Sequence, residues 1–162
     1  MPILDLTMPD YRARLAELGY VLPPVSPPKG NYKLLTRVGN LIYTAGHIPT
    51  PANGALITGK VGVDLTTEQA YEAAHVVALA LLATLQNELG DLNKIKQIVK
   101  LTGFVNAVDG FAAQPTVING ASDTFAKVFG DHGVGARSAV GTNGLPLNVP
   151  VEIEAIVEVH DA

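Results

Sequence analysis

The sequence predicts an α+β fold, with one mixed β-sheet and two long helices packed on one of its faces. Two observations carry this. Amphipathic helical stretches follow Thr66 and Pro115, and the β-branched runs interleave with them in the order hairpin, helix, strand, helix, strand, strand, after a short leading helix. Two such helices bury their apolar stripes by covering one sheet face, which leaves the other face partly polar. A strand-helix-strand step between them closes as a right-handed crossover when its strands are parallel neighbours. No internal repeat or composition break divides the chain, so residues 1–162 are expected to form one domain, in which 1–29 make an N-terminal helix and a Pro-rich extension.

Each element has a local reason. "MPDYRARLAELGY" places Tyr11, Leu15 and Leu18 at helical spacing, and Gly19 supplies a left-handed cap. Pro23, Pro24, Pro27 and Pro28 then fix an extended connector, because proline sets its own φ and disfavours helix in the residue before it. "YKLLTRVGNLIYTAGHI" reads as two strands joined by a tight turn at Gly39-Asn40, and "TPANGALITGKVG" as a loop with room for a short third strand. The long helix opens with a capping box, Thr66 with Gln69. It carries Ala74, Val77, Ala78, Leu81, Leu85 and Leu89 on one stripe and stops at Gly90.

"KIKQIVKLTGFVNAV" is a β-branched strand around Gly103. "QPTVINGASDTFAKVFG" is a helix, with Pro115 near its start, Gly130 at its end, and Val117, Ala121, Phe125 and Val128 on one side. The chain ends in two strand-like runs, "GARSAVG" and "VPVEIEAIVEV". In the second, Val151, Ile153, Ala155, Val157 and Val159 alternate with Glu152, Glu154, Ile156 and Glu158.

Composition narrows the function. Charged residues make up 16% of the chain, against about 25% in an average soluble domain, while 48% are hydrophobic. So little charge favours an oligomer with buried faces. The net charge of −4 and the lack of any Lys/Arg cluster argue against nucleic acid. The absence of cysteine excludes disulfides and thiolate chemistry. The N-terminus has no basic start followed by an apolar run, and no stretch is long enough to span a bilayer, so a cytoplasmic protein is expected.

Phosphate-binding, dinucleotide and nucleophile-elbow motifs are missing, and His47, His75, His132 and His160 have no metal-ligand spacing. Neither a metal nor an organic cofactor is expected. His75 sits among apolar residues and reads as a packed histidine. His47 follows Gly46 at a strand end, where an exposed loop residue and a cleft residue are both open readings. Arg137 heads an apolar run with no acid within reach along its own strand. It pairs either with Glu152 or Glu154 across the last two strands, or with a ligand or a neighbouring subunit; periodicity leaves these alternatives open.

"GNYKLL", "GNLIYTAGHIP", "GARSAV" and "LPLNVPVEIEAIVEV" resemble the Rid family, the reactive intermediate deaminases, also called the YjgF family or L-PSP endoribonucleases. The resemblance runs from about Gly30 to Val159, and the terminal block is its most specific part. It implies a chorismate-mutase-like fold assembled as a homotrimer, with sheets inward, helices outward and ligand clefts between subunits. It further implies that Arg137 grips the carboxylate of a 2-imino acid and that Glu152 positions the attacking water. A planar guanidinium suits the first role, since a charge-assisted bidentate pair is worth about 1.5–3 kcal/mol.

The resemblance also implies that Tyr32, Gly46 and Asn119 line the site. At three further positions the chain departs from the deaminase pattern: Ala45 replaces a serine, His47 a glutamine and Ala139 a cysteine. The expected function is therefore binding of a small carboxylate-bearing metabolite, with imine or enamine hydrolysis as its reaction. A non-catalytic metabolite-binding or chaperone-like trimer is the alternative, and endoribonuclease activity fits the composition poorly.

Overall fold

A computed structural model describes residues 9–161. The first helix, α1 (Tyr11–Leu18), starts where the Asp10 carboxylate accepts the Ala13 N–H and ends at left-handed Gly19. Strands β1 (Leu35–Val38) and β2 (Leu41–Thr44) form the expected hairpin, with Val38 opposite Leu41, so that Gly39-Asn40 is a two-residue turn. Helix α2 (Thr67–Leu89) has the predicted capping box in both directions, and all six residues of its predicted stripe are buried. Strand β3 (Ile95–Asn106) and helix α3 (Gln114–Phe129) follow, then β4 (Ala136–Thr142) and β5 (Val151–Val159). The five strands form one mixed sheet in the order β1-β2-β5-β3-β4.

Two expectations need correction. No third strand forms between β2 and α2; that loop makes only isolated bridges from Val61 to Leu65 and Ala107. The last two strands are also not neighbours. β3 lies between them, antiparallel to β5 and parallel to β4, so Arg137 stands beside Leu101 rather than beside either glutamate. The crossover explains why: α3 packs on the sheet and returns β4 parallel to β3 at the edge, so the connection from β4, through Leu147 and Asn148 with left-handed φ of 57°, has to pass β3 to reach β5.

Both long helices lie on one face. Leu101, Val105, Val151, Ile153, Ala155 and Val157 point at them and are buried. Gly103 and Gly120 permit the close approach. A Cβ at Gly103 would fall 2.5 Å from Ile118 Cδ1, and one at Gly120 would fall 2.0 Å from the Tyr71 carbonyl oxygen. The other face carries Thr36, Tyr43, Lys100, Thr102, Phe104, Glu154 and Val140 and is substantially exposed, as the alternation in β5 requires.

The N-terminal extension crosses the helix layer. Tyr11 packs edge-on against Phe129 at 4.6 Å, and Arg14 Nε donates to the Lys127 carbonyl. Tyr20 then meets His75 edge-on at 4.9 Å. His75 is a packed histidine, as predicted, with Nδ1 2.6 Å from Thr124 Oγ1. No described helix is long and apolar enough to cross a membrane.

Candidate functional site

The eight sequence-derived site residues fall into two groups. Tyr32, Ala45, Gly46, His47 and Glu152 line one cavity of about 740 Å³, while Arg137, Asn119 and Ala139 lie at the β4 edge of the sheet. The register fixes their sides. Glu152 stands opposite Phe104 and Arg137 opposite Leu101, three residues apart along β3, so the two side chains emerge from opposite faces. Within one chain, Arg137 and Glu152 are not brought together.

The cavity begins where β2 ends. Beyond Thr44 the chain stays alongside β5, with His47 N–H donating to the Ile153 carbonyl at 2.8 Å and Ile153 N–H donating back to the His47 carbonyl at 3.0 Å. That pairing turns the imidazole into the core, where it is 8% exposed, so His47 is not the exposed loop residue that remained one of its two readings. Its Nδ1 lies 2.8 Å from the Ala45 carbonyl and can only donate there. Nε2 is therefore the acceptor for the Thr84 hydroxyl, also at 2.8 Å. Burial pushes its pKa down, against the Ala45 hydrogen bond, which raises it. His47 is thus held neutral, with both ring nitrogens occupied.

Glu152 lies beside Gly46 on the other side of the strand. A Cβ at Gly46 would sit 3.0 Å from Glu152 Cγ and Cδ and 3.2 Å from Oε2, so the missing side chain is what leaves room for the carboxylate. Half-burial raises the Glu152 pKa, and the neighbouring Glu154 carboxylate raises it further. A carboxyl shifted in this direction is suited to carrying a proton during a reaction. Tyr32 is 52% exposed at the cavity margin, and Lys29 is the lysine among the lining residues.

At the β4 edge, Arg137 Nη1 donates to Asn119 Oδ1 at 2.6 Å and to Ser122 Oγ at 3.1 Å. Among the described residues no carboxylate pairs with it. The cross-strand ion pair with Glu152 or Glu154 does not form, because β3 intervenes. Two neutral oxygens thus hold a half-buried guanidinium by one end, leaving Nη2 and Nε for another acceptor. Ala139, opposite Gly103 and packed on the core, lines the same strand two residues on.

Sequence reasoning missed several contributors. Thr84 is a polar residue inside an apolar stripe, and that anomaly was the available signal. Ser122 follows Asn119 by one helical turn and shares its face. The cavity lining by Pro24, Val25 and Leu147 had no signal short of the fold. Among the described residues no three His, Asp or Glu side chains converge as a metal site.

The family described as "YjgF/chorismate_mutase-like, putative endoribonuclease" matches residues 12–159. Protein TCP17 of Trypanosoma cruzi is 39% identical over 150 residues, covering 92% of this chain and 94% of that protein. The 2-iminobutanoate/2-iminopropanoate deaminase of Escherichia coli strain K12 is 33% identical over 129 residues, covering 78% and 86%. Among solved structures, Atu1372 of Agrobacterium tumefaciens, a protein of unknown function, superposes with a TM-score of 0.85 at 44% identity, covering 93% of this chain and 92% of that one. The five-stranded mixed sheet with its helices on one face, the "GARSAV" and "VEIEAI" strands and these matches agree: the chain belongs to the YjgF/Rid family.

Proposed function

We propose that this chain assembles as a homotrimer whose inter-subunit clefts bind a small carboxylate-bearing metabolite and hydrolyse 2-imino acids, or their enamine tautomers, to 2-oxo acids and ammonia. The observation that carries this reading is the divided site. A guanidinium without an acidic partner stands at one sheet edge, and a carboxyl with a raised pKa stands on the opposite face. Packing copies around an axis can set Arg137 of one copy against Glu152 of the next, which the single chain cannot do. The charge-poor composition and the exposed Tyr43 and Val140 with half-buried Phe104 on the open face supply a surface for such packing.

The chemistry asks little of the protein. Arg137 takes the substrate carboxylate through Nη2 and Nε while Asn119 and Ser122 hold Nη1. Glu152 orients a water on the face of the imine carbon and accepts its proton as the C–O bond forms. The C=N pair moves to nitrogen, which is protonated. The resulting carbinolamine then loses ammonia as its hydroxyl proton departs and C=O forms. No step needs a thiol or a metal.

The test is to generate 2-iminobutanoate in situ with a threonine dehydratase and follow 2-oxobutanoate release with wild type and Arg137→Ala. Equal rates in a variant that still assembles would end this reading. Mixing R137A and E152Q subunits probes the shared cleft directly. Random assembly of equal amounts restores one intact cleft in about four, so roughly a quarter of wild-type activity should return from two inactive parents.

Ala45 and Ala139, at the serine and cysteine positions of the deaminase pattern, favour a second reading as a metabolite binder without turnover. It predicts saturable thermal stabilisation by 2-oxobutanoate and no ammonia release. Endoribonuclease action is not favoured by the described cavity, whose charged lining residues are Glu152 and Lys29.

A further inference from the structure

The cavity is much larger than a small imino acid requires. At roughly 30 Å³ per water-sized group, the seven heavy atoms of 2-iminobutanoate fill about 200 Å³. That is under a third of the roughly 740 Å³ present. Most of the remaining wall is apolar, with Pro24 and Val25 from the extension, Ile48 and Leu56 from the loop after β2, Ala80 from α2, and Leu147 from the connection before β5, while Ser26, Lys29 and Thr50 are its polar members. The polar groups on the helix side are already used, since His47 and Thr84 satisfy each other.

Leu147 stands out among these residues. It is an apolar side chain, 59% exposed, on a backbone in the left-handed region that non-glycine residues rarely adopt. The segment is pinned from behind. Asn106, fully buried, donates through Nδ2 to Asn148 Oδ1 at 3.2 Å and to the Val149 carbonyl at 3.1 Å. Lys60 Nζ donates to Asn106 Oδ1 and to the Asn143 carbonyl at 2.6 and 2.8 Å, and Gly59 N–H donates to the Asn148 carbonyl at 2.7 Å. This network holds a strained backbone that leaves a leucine at the cavity wall rather than in the core.

We propose that the cavity beneath the Pro-rich segment receives the side chain of a 2-imino or 2-oxo acid bearing a branched aliphatic or aromatic group, and that Leu147 and Val25 set this size preference. The proposal rests on the carboxylate-binding reading above and adds to it the substrate class. The reacting carbon sits at Glu152 with the substrate carboxylate held by Arg137 of the neighbouring copy, and the apolar group extends into the cavity against Val25, Leu56 and Leu147.

Calorimetric titration of the full-length protein with three stable acids, 2-oxobutanoate, 4-methyl-2-oxopentanoate and phenylpyruvate, tests this without requiring turnover. Two further buried methylenes are worth about tenfold in affinity, so the two larger acids should bind at least about tenfold more tightly than 2-oxobutanoate. Leu147→Gly, which relieves the left-handed strain and therefore folds, should shrink that ratio to about twofold by weakening the large acids, and Val25→Ser should act in the same direction. Equal affinities across the series, a ratio unchanged in both variants, or no binding of any acid would each overturn the proposal. Ammonia release from 2-iminobutanoate is scored separately. Size-ranked binding without ammonia release leaves the size preference standing and removes the deaminase reading, whereas ammonia release without size ranking does the reverse.

Discussion

The cavity end of the sheet and its β4 edge solve opposite electrostatic problems. At the cavity, Gly46 clears space for a half-buried carboxyl whose pKa is raised, and burial pushes the pKa of the nearest imidazole down while Ala45 and Thr84 occupy both of its nitrogens. At the edge, Arg137 keeps its charge, and neutral oxygens from Asn119 and Ser122 hold it without cancelling it. One region has a carboxyl ready to take up a proton, and the other a cation ready to take an anion. A shared ligand would complete both, and the sheet keeps them on opposite faces so that neither neutralises the other within a chain.

The sharpest way to break this comparison is Arg137→Ala. If the edge supplies the carboxylate grip, kcat/KM for 2-iminobutanoate should fall about 10–100-fold, the value of a lost charge-assisted bidentate pair, while the melting temperature stays nearly unchanged. Arg137→Lys should not rescue it, because an ammonium cannot hold Asn119, Ser122 and a carboxylate in one plane. At the cavity end, Gly46→Ala pushes a methyl to 3.0 Å from Glu152 and should lower kcat about tenfold through displacement of the carboxyl, with KM less affected. An unchanged kcat would show that Glu152 is not used in the reaction.

Stability separates the two regions as well. Thr84→Val removes the donor to His47 Nε2 and leaves a buried acceptor unpaired, so urea denaturation should show a loss of about 1–3 kcal/mol. Ser122→Ala at the half-buried edge should cost far less. The smallest effect is in pH dependence. Glu152 has a raised pKa in the fold, so its stabilising contribution is complete below the ordinary carboxylate range and is lost as pH rises through the folded value. Glu152→Gln should remove that loss, giving melts that decline less than wild type as pH rises above the ordinary carboxylate range. His47 and His75 shift downward, so their contribution is present above about pH 6.5 and disappears as pH falls through their lower folded values. Acid melts of Glu152→Gln should keep this second slope; its absence would mean that the histidines are already charged in the fold.

Much of the architecture could be read locally. The Thr66–Gln69 capping box, the Gly39-Asn40 turn and the β5 alternation each depend on residues within a few positions of one another, and each formed as read. The pairing of β4 could not be read in this way. "GARSAVG" and "VPVEIEAI" are adjacent in the chain and have the look of a hairpin, yet β3 lies between them, because α3 packs on the sheet and returns β4 parallel to β3. The candidate site follows the same division. Motif spacing picked out Arg137 and Glu152 as residue types but carried no information on which face each would use.

The sequence by its own patterning determined the helices, the strands, the family, and the residue types able to grip a carboxylate and move a proton, because caps, periodicity and motifs are short-range properties of the chain. Long-range packing alone decided that His47 is buried against Thr84, that the Pro-rich extension walls a cavity with Leu147, and that Arg137 and Glu152 face apart. Those facts depend on which strands become neighbours, and that choice is made by helices settling on a sheet face, through contacts between residues tens of positions apart in the chain.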